Sequence, residues 1–576
     1  IEAAAGALLL SGCSVQEDSS TKKVKKQDKI KKAESSDGAK HLRDKDELYE
    51  VYDDSGIVTM YLTVSRGNSS ENTDHSWAEI NTYSVYDYAD MGVARYQVMG
   101  LLQAGDGPVA GEVGYGEEAP NATVQVRGQT SSGYTQKNYK VELKKGKGTW
   151  RQQRAIALNK HMGEGMRFRN KMAYDLIRGI PQMMGLRTQF VHLWVCDQTE
   201  KSNDTFEDYG LFTQVEQLNK TALKAHGLDK NGHLYKVNSF DFYRYEDTIK
   251  LADDPDYNQA NFEGMLEIKG DSDHIKLIEM LDALNDESQK IDDVLDAYFD
   301  TENLVYWLAF QILTGNCDTQ NRNCYLYSPL NSNTWYFLDW DNDGMLRKLE
   351  LSLKGFSDYA SWERGVSNYW GNVLFNRALR SKSFRSELDR AVKDLRPYLS
   401  EERLGKMIKH YREVTESLVF ASPDIDNLPV TKDQYEQIAA AIPSEIEENY
   451  KSYCESYKKP MPFYIGVPQI DNGKLRLNWD AAYDFEARDI RYTVELARDY
   501  AISDVLFKAE DVLFPEVTCD APDTGQYFVR VRATNSDGYT QDAFDYYVTD
   551  DGKQYGMKCF YVQDGGKVVE DTYEEG

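Results

Sequence analysis

Short runs in which apolar and polar residues alternate fill residues 48–141, as in IVTMYLTV (57–64) and ATVQVRG (122–128), with Gly and Asn between them. Alternation with period two predicts half-buried strands, so this part reads as a strand-rich lobe. In MRFRNKMAYDLIRGI (166–180) the period changes. Met166, Met172, Ala173, Leu176 and Ile177 approach helical spacing, and Gly179 and Pro181 stop the helix. FVHLWV and YGLFTQVE are two further strands, joined by the polar loop 196–208. Beyond Phe262 the pattern turns helical, through HIKLIEMLDALND, IDDVLDAYF, ENLVYWLAFQILTG and a long run over 384–453. The last hundred or so residues return to period two. KLRLNWDAA, RYTVELARD and QYFVRVRATNSDG predict strands at sandwich-like spacing, with Trp479 and Tyr492 inward and Tyr527 leading the penultimate strand.

At its start the chain reads IEAAAGALLLSGC, an apolar run ending in small residues and a cysteine, followed by a Lys- and Ser-rich polar stretch. Leu10-Ser11-Gly12-Cys13 resembles a bacterial lipobox, in which Cys13 is acylated and becomes the mature N-terminus. Residues 1–13 are therefore read as the remnant of a signal peptide and 14–45 as a solvated tether. Two acyl chains would anchor the protein firmly to the outside of a cell membrane. No other stretch approaches the roughly 18 apolar residues of a membrane span. The expectation is an extracellular, lipid-anchored protein that meets the membrane only through its anchor.

Among the 576 residues, 67 Lys and Arg stand against 95 Asp and Glu, a net charge of −28 that repels a phosphate backbone. Nucleic acid is excluded as the expected partner. The 7 cysteines and 8 histidines are scattered, with no CxxC pair, HExxH or GxSxG. Zinc hydrolase and serine hydrolase chemistry thus find no support.

The densest cluster of chemistry is TGNCDTQNRNCYLY (314–327), which places Asp318 and Asn323 after a helix and before a strand. A DxxxxN in that setting is how protein kinases place a catalytic-loop Asp beside a metal-binding Asn. TWYFLDWDNDGM follows, with Asp339, Asp341 and Asp343 where an apolar strand runs out; three carboxylates so close imply a cation. The same stretch, DWDNDGMLRKLE (339–350), also fits the calcium-loop pattern D-x-D-x-D-G-x5-E, so Ca²⁺ held from Asp339 to Glu350 competes with Mg²⁺ held at Asp341 and Asp343. Against the calcium loop stands its context, a β-hairpin where a helix is expected. Upstream, VQVRGQTSSGYTQKNYKVELKK places a Gly-containing loop, 128–133, between two strands and follows it with Lys137 and Lys140. Loop amides and a strand lysine suit phosphate binding. The loop is no P-loop, because Tyr134 stands where lysine is required and no helix follows.

Together RGQTSSGYTQKNYKVEL, RFRNKMAYDL, GLFTQVEQLNK with the later GHLYK, TGNCDTQNRNCYLY and WYFLDWDND, in this order, resemble the CotH (spore-coat protein H) kinase-like family. The resemblance implies an α+β fold, a two-lobe atypical protein-kinase-like domain over 46–456, that binds ATP and Mg²⁺ and phosphorylates Ser or Thr of a protein substrate. It makes Asp318 the catalytic Asp, Asn323, Asp341 and Asp343 metal ligands, and Lys137 or Lys140 the phosphate-binding lysine. Arg127 and Glu216 join the nucleotide site. The sequence departs from the family pattern at Gln129, at the long loop 196–209, and in having Asp175 as the only acid of its 166–180 helix. The final strands, with YFVRVRATNSDG (527–538), resemble a fibronectin type III domain over 461–549, an all-β immunoglobulin-like sandwich followed by a tail, 550–576. The rival expectation is a catalytically silent kinase-like surface protein that binds envelope proteins or polysaccharide. The lipobox reading has a direct test: Cys13→Ser should move the protein from the membrane fraction into the medium, and retention on the membrane would refute acylation as the anchor.

Overall fold

The computed structural model describes residues 41–105, 113–114, 116–202, 204–355, 360–549 and 552–571. The lipobox with Cys13 and most of the expected tether lie outside these residues. Strands β1 (Ile57–Ser65), β2 (Val98–Ala104), β3 (Ala122–Arg127), β4 (Asn138–Leu143), β5 (Ala155–Asn159), β6 (Thr188–Asp197) and β7 (Glu207–Glu216) close into a barrel in the order β1-β2-β3-β4-β5-β7-β6. Closure comes from β1 and β6, which pair in parallel from Ile57 opposite Phe190 to Val64 opposite Asp197. The alternation in β1 and β3 determines the interior: Met60, Leu62, Val64, Ala122, Val124 and Val126 are buried, and the intervening residues face outward. Two short helices, α1 (Trp77–Thr82) and α2 (Val85–Met91), sit between β1 and β2, each closed by a Ser capping box.

The helix expected over 166–180 forms as α3 (Arg169–Ile177), and every residue of it is buried. A second sheet takes β8 (His233–Val237), β9 (Leu266–Ile268), β10 (Cys324–Ser328) and β11 (Tyr336–Asp339) in the order β11-β10-β8-β9. Packed with it are α4 (Lys220–Ala225), α5 (Gln259–Met265), α6 (Ile275–Asn285), α7 (Ile291–Tyr298) and α8 (Thr301–Thr314). Helix α8 is apolar all round and nearly wholly buried, as suits the centre of a core. Asp300 caps its start, and Gly315, at φ +64°, ends it in the left-handed conformation glycine tolerates. After the short α9 (Lys348–Leu353) and α10 (Val373–Arg380), the long helical run expected over 384–453 becomes α11 (Lys382–Tyr398), α12 (Glu401–Val419) and α13 (Lys432–Ser456). Among the described residues no helix is long and apolar enough to cross a membrane.

The C-terminal region is all β. One sheet holds β12 (Gln469–Asp471), β13 (Lys474–Asn478) and, in space, β16 (Glu516–Asp520); the other holds β14 (Ile490–Ala497), β15 (Val505–Val512) and β17 (Gly525–Asn535). Trp479 and Tyr492 are buried as expected and pack edge to face at 5.2 Å, and the Tyr527 hydroxyl donates to the Asp523 carbonyl at 2.9 Å. Beyond them come β18 (Thr540–Asp542), β19 (Tyr546–Thr549), β20 (Gly552–Tyr555), β21 (Met557–Val562) and β22 (Val568–Glu570). The reading of 550–576 as a tail is thereby corrected. Strand β21 pairs with β17 from Gly525 opposite Val562 to Arg530 opposite Met557, and its Phe560 and Val562 fill the same core as Trp479.

The tether is also shorter than the expected 14–45, because its last residues are packed against the body. Leu42 is buried in the main core, and Asp300 accepts from the Leu42 amide at 2.8 Å. Asp44 meets His226 at 2.6 Å, and the other ring nitrogen of His226 meets Glu216 at 3.0 Å. Burial alone would lower the pKa of His226, but the Asp44 and Glu216 carboxylates outweigh it and raise the imidazole to about 10. Burial alone would raise Glu216, yet His226 and Arg187 hold it at about 2. The His226 contribution is complete below its unfolded pKa and fades as pH rises towards 10. That of Glu216 is complete above its unfolded pKa and fades as pH falls towards 2. His226→Ala leaves two buried carboxylates with one fewer cation, so chemical denaturation near pH 6 should show a loss of about 3–5 kcal/mol, shrinking towards pH 10.

Candidate active site

Register brings the predicted residues together. Cys324 opens β10 directly opposite Asp339, the last residue of β11, so Asn323 and the Trp340–Asp341 pair leave the sheet at the same end. Val237 of β8 lies opposite Cys324, and Lys236 lies opposite both Tyr325 and Glu267. Asn323 and Asp341 both adopt left-handed backbone, at φ 57° and 58°, a conformation that non-glycine residues seldom hold outside functional turns. The Asn323 amide donates to the Asp318 carboxylate at 2.9 Å and to its carbonyl at 3.1 Å, leaving the Asn323 carbonyl oxygen turned to other use. Asp318 sits in a one-turn 3₁₀ segment after α8, with 63% of its side chain exposed, where an acceptor hydroxyl could reach it.

The three aspartates after β11 part company. Asp339 is buried and accepts from Gln311 at 2.5 Å, from Trp307 at 3.2 Å and from the Asn342 amide. Burial nonetheless raises its pKa to about 7. It is a structural carboxylate. Asp341 is raised to about 7 as well, first by burial and then by Asp343, and its backbone N–H donates to the Tyr174 hydroxyl at 3.3 Å. Asp343 lies 3.6 Å from His161. A carboxylate this reluctant to ionise alone is one that a cation would stabilise.

The calcium-loop pattern fails in three dimensions. Glu350, its last required ligand, lies on α9 and is fully buried among cations: Arg169, Lys354 at 2.7 Å and Arg347 at 3.3 Å. It also accepts from the Gly165 amide at 3.0 Å. With Asp339 engaged by its hydrogen-bond donors and Glu350 by its ion pairs, the cage of six to eight oxygens cannot assemble. Among the described residues no group of three or more His, Cys, Asp or Glu is arranged to hold a metal by itself.

The basic residues differ from expectation. Arg127, at the end of β3, faces the cluster: its guanidinium lies 5.9 Å from the Trp340 ring, hydrogen-bonds Asn159, and feels Asp341. Lys137 is not available to phosphate. It is buried and donates to the Ser132 carbonyl at 2.6 Å, closing the 128–133 loop from beneath. That loop is no open amide cradle either. Residues Thr130–Gly133 form a 3₁₀ turn, and Gly128, at φ +97°, leaves room only for the Ser131 hydroxyl, 2.0 Å from where a Cβ would stand. Lys140 is half-buried on the outward face of β4, paired with Glu142 at 2.7 Å. Glu216, expected at a nucleotide site, is instead committed to Arg187 and His226 and belongs to the clamp on the N-terminal strap.

Lys236 had not been singled out. Burial lowers its pKa, while the fields of Glu267 and Asp341 oppose this. Its signal lay in GHLYK, where a lysine interrupts an otherwise apolar strand. Arg95 adds a cation beside Glu267, and Lys269 pairs with Glu267. In a chain of net charge −28 this local surplus of Arg95, Arg127, Lys236 and Lys269 fits an anion.

The family model described as CotH kinase protein matches residues 124–453, more than half of the chain. The chain belongs to the CotH kinase family. Arg127, Lys236, Asp318, Asn323, Asp341 and Asp343 of this CotH-family chain fall within the matched span, and Arg95 precedes it. No curated protein matches it. Similar solved structures include the Helicobacter pylori proinflammatory kinase CtkA, 10% identical over 55% of this chain and 94% of that one, with a TM-score of 0.27. The HipA toxin–antitoxin complex of Shewanella oneidensis is 11% identical over 52% of this chain and 58% of that one, with a TM-score of 0.23. The twitchin kinase region of C. elegans is 19% identical over 16% of this chain and 20% of that one, with a TM-score of 0.13. The chain thus spans about a fifth of the length of the twitchin region. A test follows from Glu350: Glu350→Gln should cost about 3–5 kcal/mol of stability, because three buried or half-buried cations lose their common partner. Calorimetry of nucleotide-free wild type should show no micromolar Ca²⁺ binding for that substitution to abolish.

Proposed function

We propose that this CotH-family protein is a two-lobe, atypical protein-kinase-like phosphotransferase that moves the γ-phosphoryl group of ATP to a Ser or Thr hydroxyl. Its lipid anchor at Cys13 would hold it at the cell surface, and its C-terminal β region would be of the fibronectin type III, immunoglobulin-like kind. The observation that carries the activity is the convergence of Asp318, Asn323 and Asp341 at one end of one sheet, faced by Arg127 from the barrel. Asn323 and Asp341, with Asp343 beside them, are the residues to hold Mg²⁺. Mg²⁺–ATP would supply the phosphoryl group and neutralise its charge.

The protein's own residues then do four things. Arg127 and Lys236 bind phosphate oxygens, and Trp340, stacked edge-on to Tyr325 at 5.4 Å, fixes the position of the arginine beneath the barrel. Tyr174 anchors the Asp341 backbone so that its carboxylate keeps its place as charge builds up nearby. Asn323 holds Asp318 in one orientation. Asp318 accepts the proton of the acceptor hydroxyl as that oxygen bonds to the γ-phosphorus, while the bond to the β–γ bridging oxygen breaks and its electron pair leaves with ADP.

Binding of Mg²⁺–ATP to the purified protein, followed by transfer of labelled γ-phosphate to candidate surface proteins, tests the reading. Asp318→Asn should reduce transfer by at least ~10³-fold with ATP affinity nearly intact, since its partner is the hydroxyl. Asp341→Ala should lose Mg²⁺-dependent nucleotide binding. Absence of binding at millimolar ATP would instead support a catalytically silent surface protein.

A further inference from the structure

The segment 360–372 lies between the C-terminal β region and the loop that carries Asp318, and it is fastened to both. On the far side, Gln541 donates to the Ser361 hydroxyl at 2.7 Å. The Trp362 ring meets Phe544 edge to face at 5.0 Å and Tyr555 at 6.1 Å. After burial, the neighbouring Glu363 carboxylate raises the pKa of the Tyr555 phenol. Trp370 stacks on Tyr483 at 5.2 Å and meets Phe485 at 5.7 Å. Such aromatic contacts bury large areas and prescribe an orientation, so they hold this segment in one place.

On the near side, other residues of the same segment grip the Asp318 loop at successive positions. Arg364 donates to the Gly315 carbonyl at 2.9 Å, and the Cys317 thiol donates to the Glu363 carbonyl at 2.8 Å. Asn368 donates to the Cys317 carbonyl at 3.1 Å, Tyr369 shares a hydrogen bond with Thr319 at 2.8 Å, and Asn372 donates to the Gln320 carbonyl at 2.9 Å. Residues on both sides of Asp318 are therefore held from 360–372. The loop's own side-chain contacts, such as Thr319 to Asn316, Asn323 to Asp318, Cys317 to Gly315 and the exposed Arg322–Asp318 pair, are short-range and few against the entropy of ordering it.

We propose that the C-terminal β region is a positioning element for catalysis: Gln541, Phe544 and Tyr555 set the 360–372 segment, and through it the geometry of Asp318. The kinetic consequences rest on the phosphotransferase reading above. Asp318 has to meet an acceptor hydroxyl to within a fraction of an ångström, so loosening the brace lowers turnover. The brace touches neither Arg127 nor Lys236 and reaches the nucleotide only through Asn323, which is hydrogen-bonded to Asp318, so nucleotide affinity changes less than turnover.

The test uses the full chain with Phe544→Ala, Phe544→Leu and Tyr555→Phe, and reads amide hydrogen exchange alongside kinetics. Phe544→Ala should speed exchange selectively in 315–324 and 360–372, and reduce kcat on the order of 10- to 100-fold with a smaller change in KM for ATP. Phe544→Leu should recover most of the loss, and Tyr555→Phe, which keeps the ring against Trp362 and drops only the hydroxyl near Glu363, should fall between it and wild type. If Phe544→Ala does not fold, the other two variants carry the same readouts. Unchanged exchange in 315–324, or exchange raised equally throughout the chain, overturns the proposal. A wild-type protein that binds ATP but transfers no phosphate refutes the phosphotransferase reading, and the exchange measurement still decides whether the brace exists.

Discussion

A single buried carboxylate ties the candidate site together. Asp339 ends β11 and accepts from Trp307 and Gln311 of α8 and from Asn342 of the following loop. Gln311 in turn accepts from Asn316 at 3.1 Å, just before Asp318. The central helix, the strand, the loop bearing Asp341 and the loop bearing Asp318 thus share one hydrogen-bonded knot, at a depth where an unpaired polar group would be costly. Removing the carboxyl group from its centre would leave several buried donors without a partner, and the two loops would lose their common reference point.

Around that knot the protein separates two kinds of charge. Arg169, Glu164 and Glu350, or Asp44, His226, Glu216 and Arg187, are buried sets in which each charge has its partner, and they hold segments that are distant in sequence. Asp341 and the cluster of Arg95, Arg127 and Lys236 are only partly compensated, with Asp341 raised to about 7 by burial. Incomplete compensation is what a site for a charged ligand and its cation needs, because the missing partner arrives with the ligand.

The fold places these groups by register and closure more than by any single motif. Parallel pairing of β1 with β6 closes the barrel and presents Arg127 to Trp340; the Cys324–Asp339 pair aligns the two loops; and the aromatic contacts of the C-terminal region reach back to the segment alongside Asp318. The C-terminal β region is joined to the main core through Phe544, Tyr483 and Phe485.

The sequence by itself determined five of the barrel strands, β1, β3, β4, β6 and β7, the helices α3 and α6 to α8, the inward Trp479 and Tyr492, the order of the family blocks, and the short-range couple of Asp318 with Asn323. These depend on periodicity and on spacing within one turn or loop, which a linear chain carries locally. Only the tertiary structure decided that Asp339 is structural and Glu350 an ion-pair hub, that Lys137 closes a turn, that Glu216 serves the N-terminal strap, and that Lys236 joins Asp341. It also placed the strand over 557–562 in the main C-terminal sheet. Each of these depends on which distant residue fills the space around a side chain, and for a buried charge that neighbour decides between ligand, ion pair and hydrogen-bond acceptor.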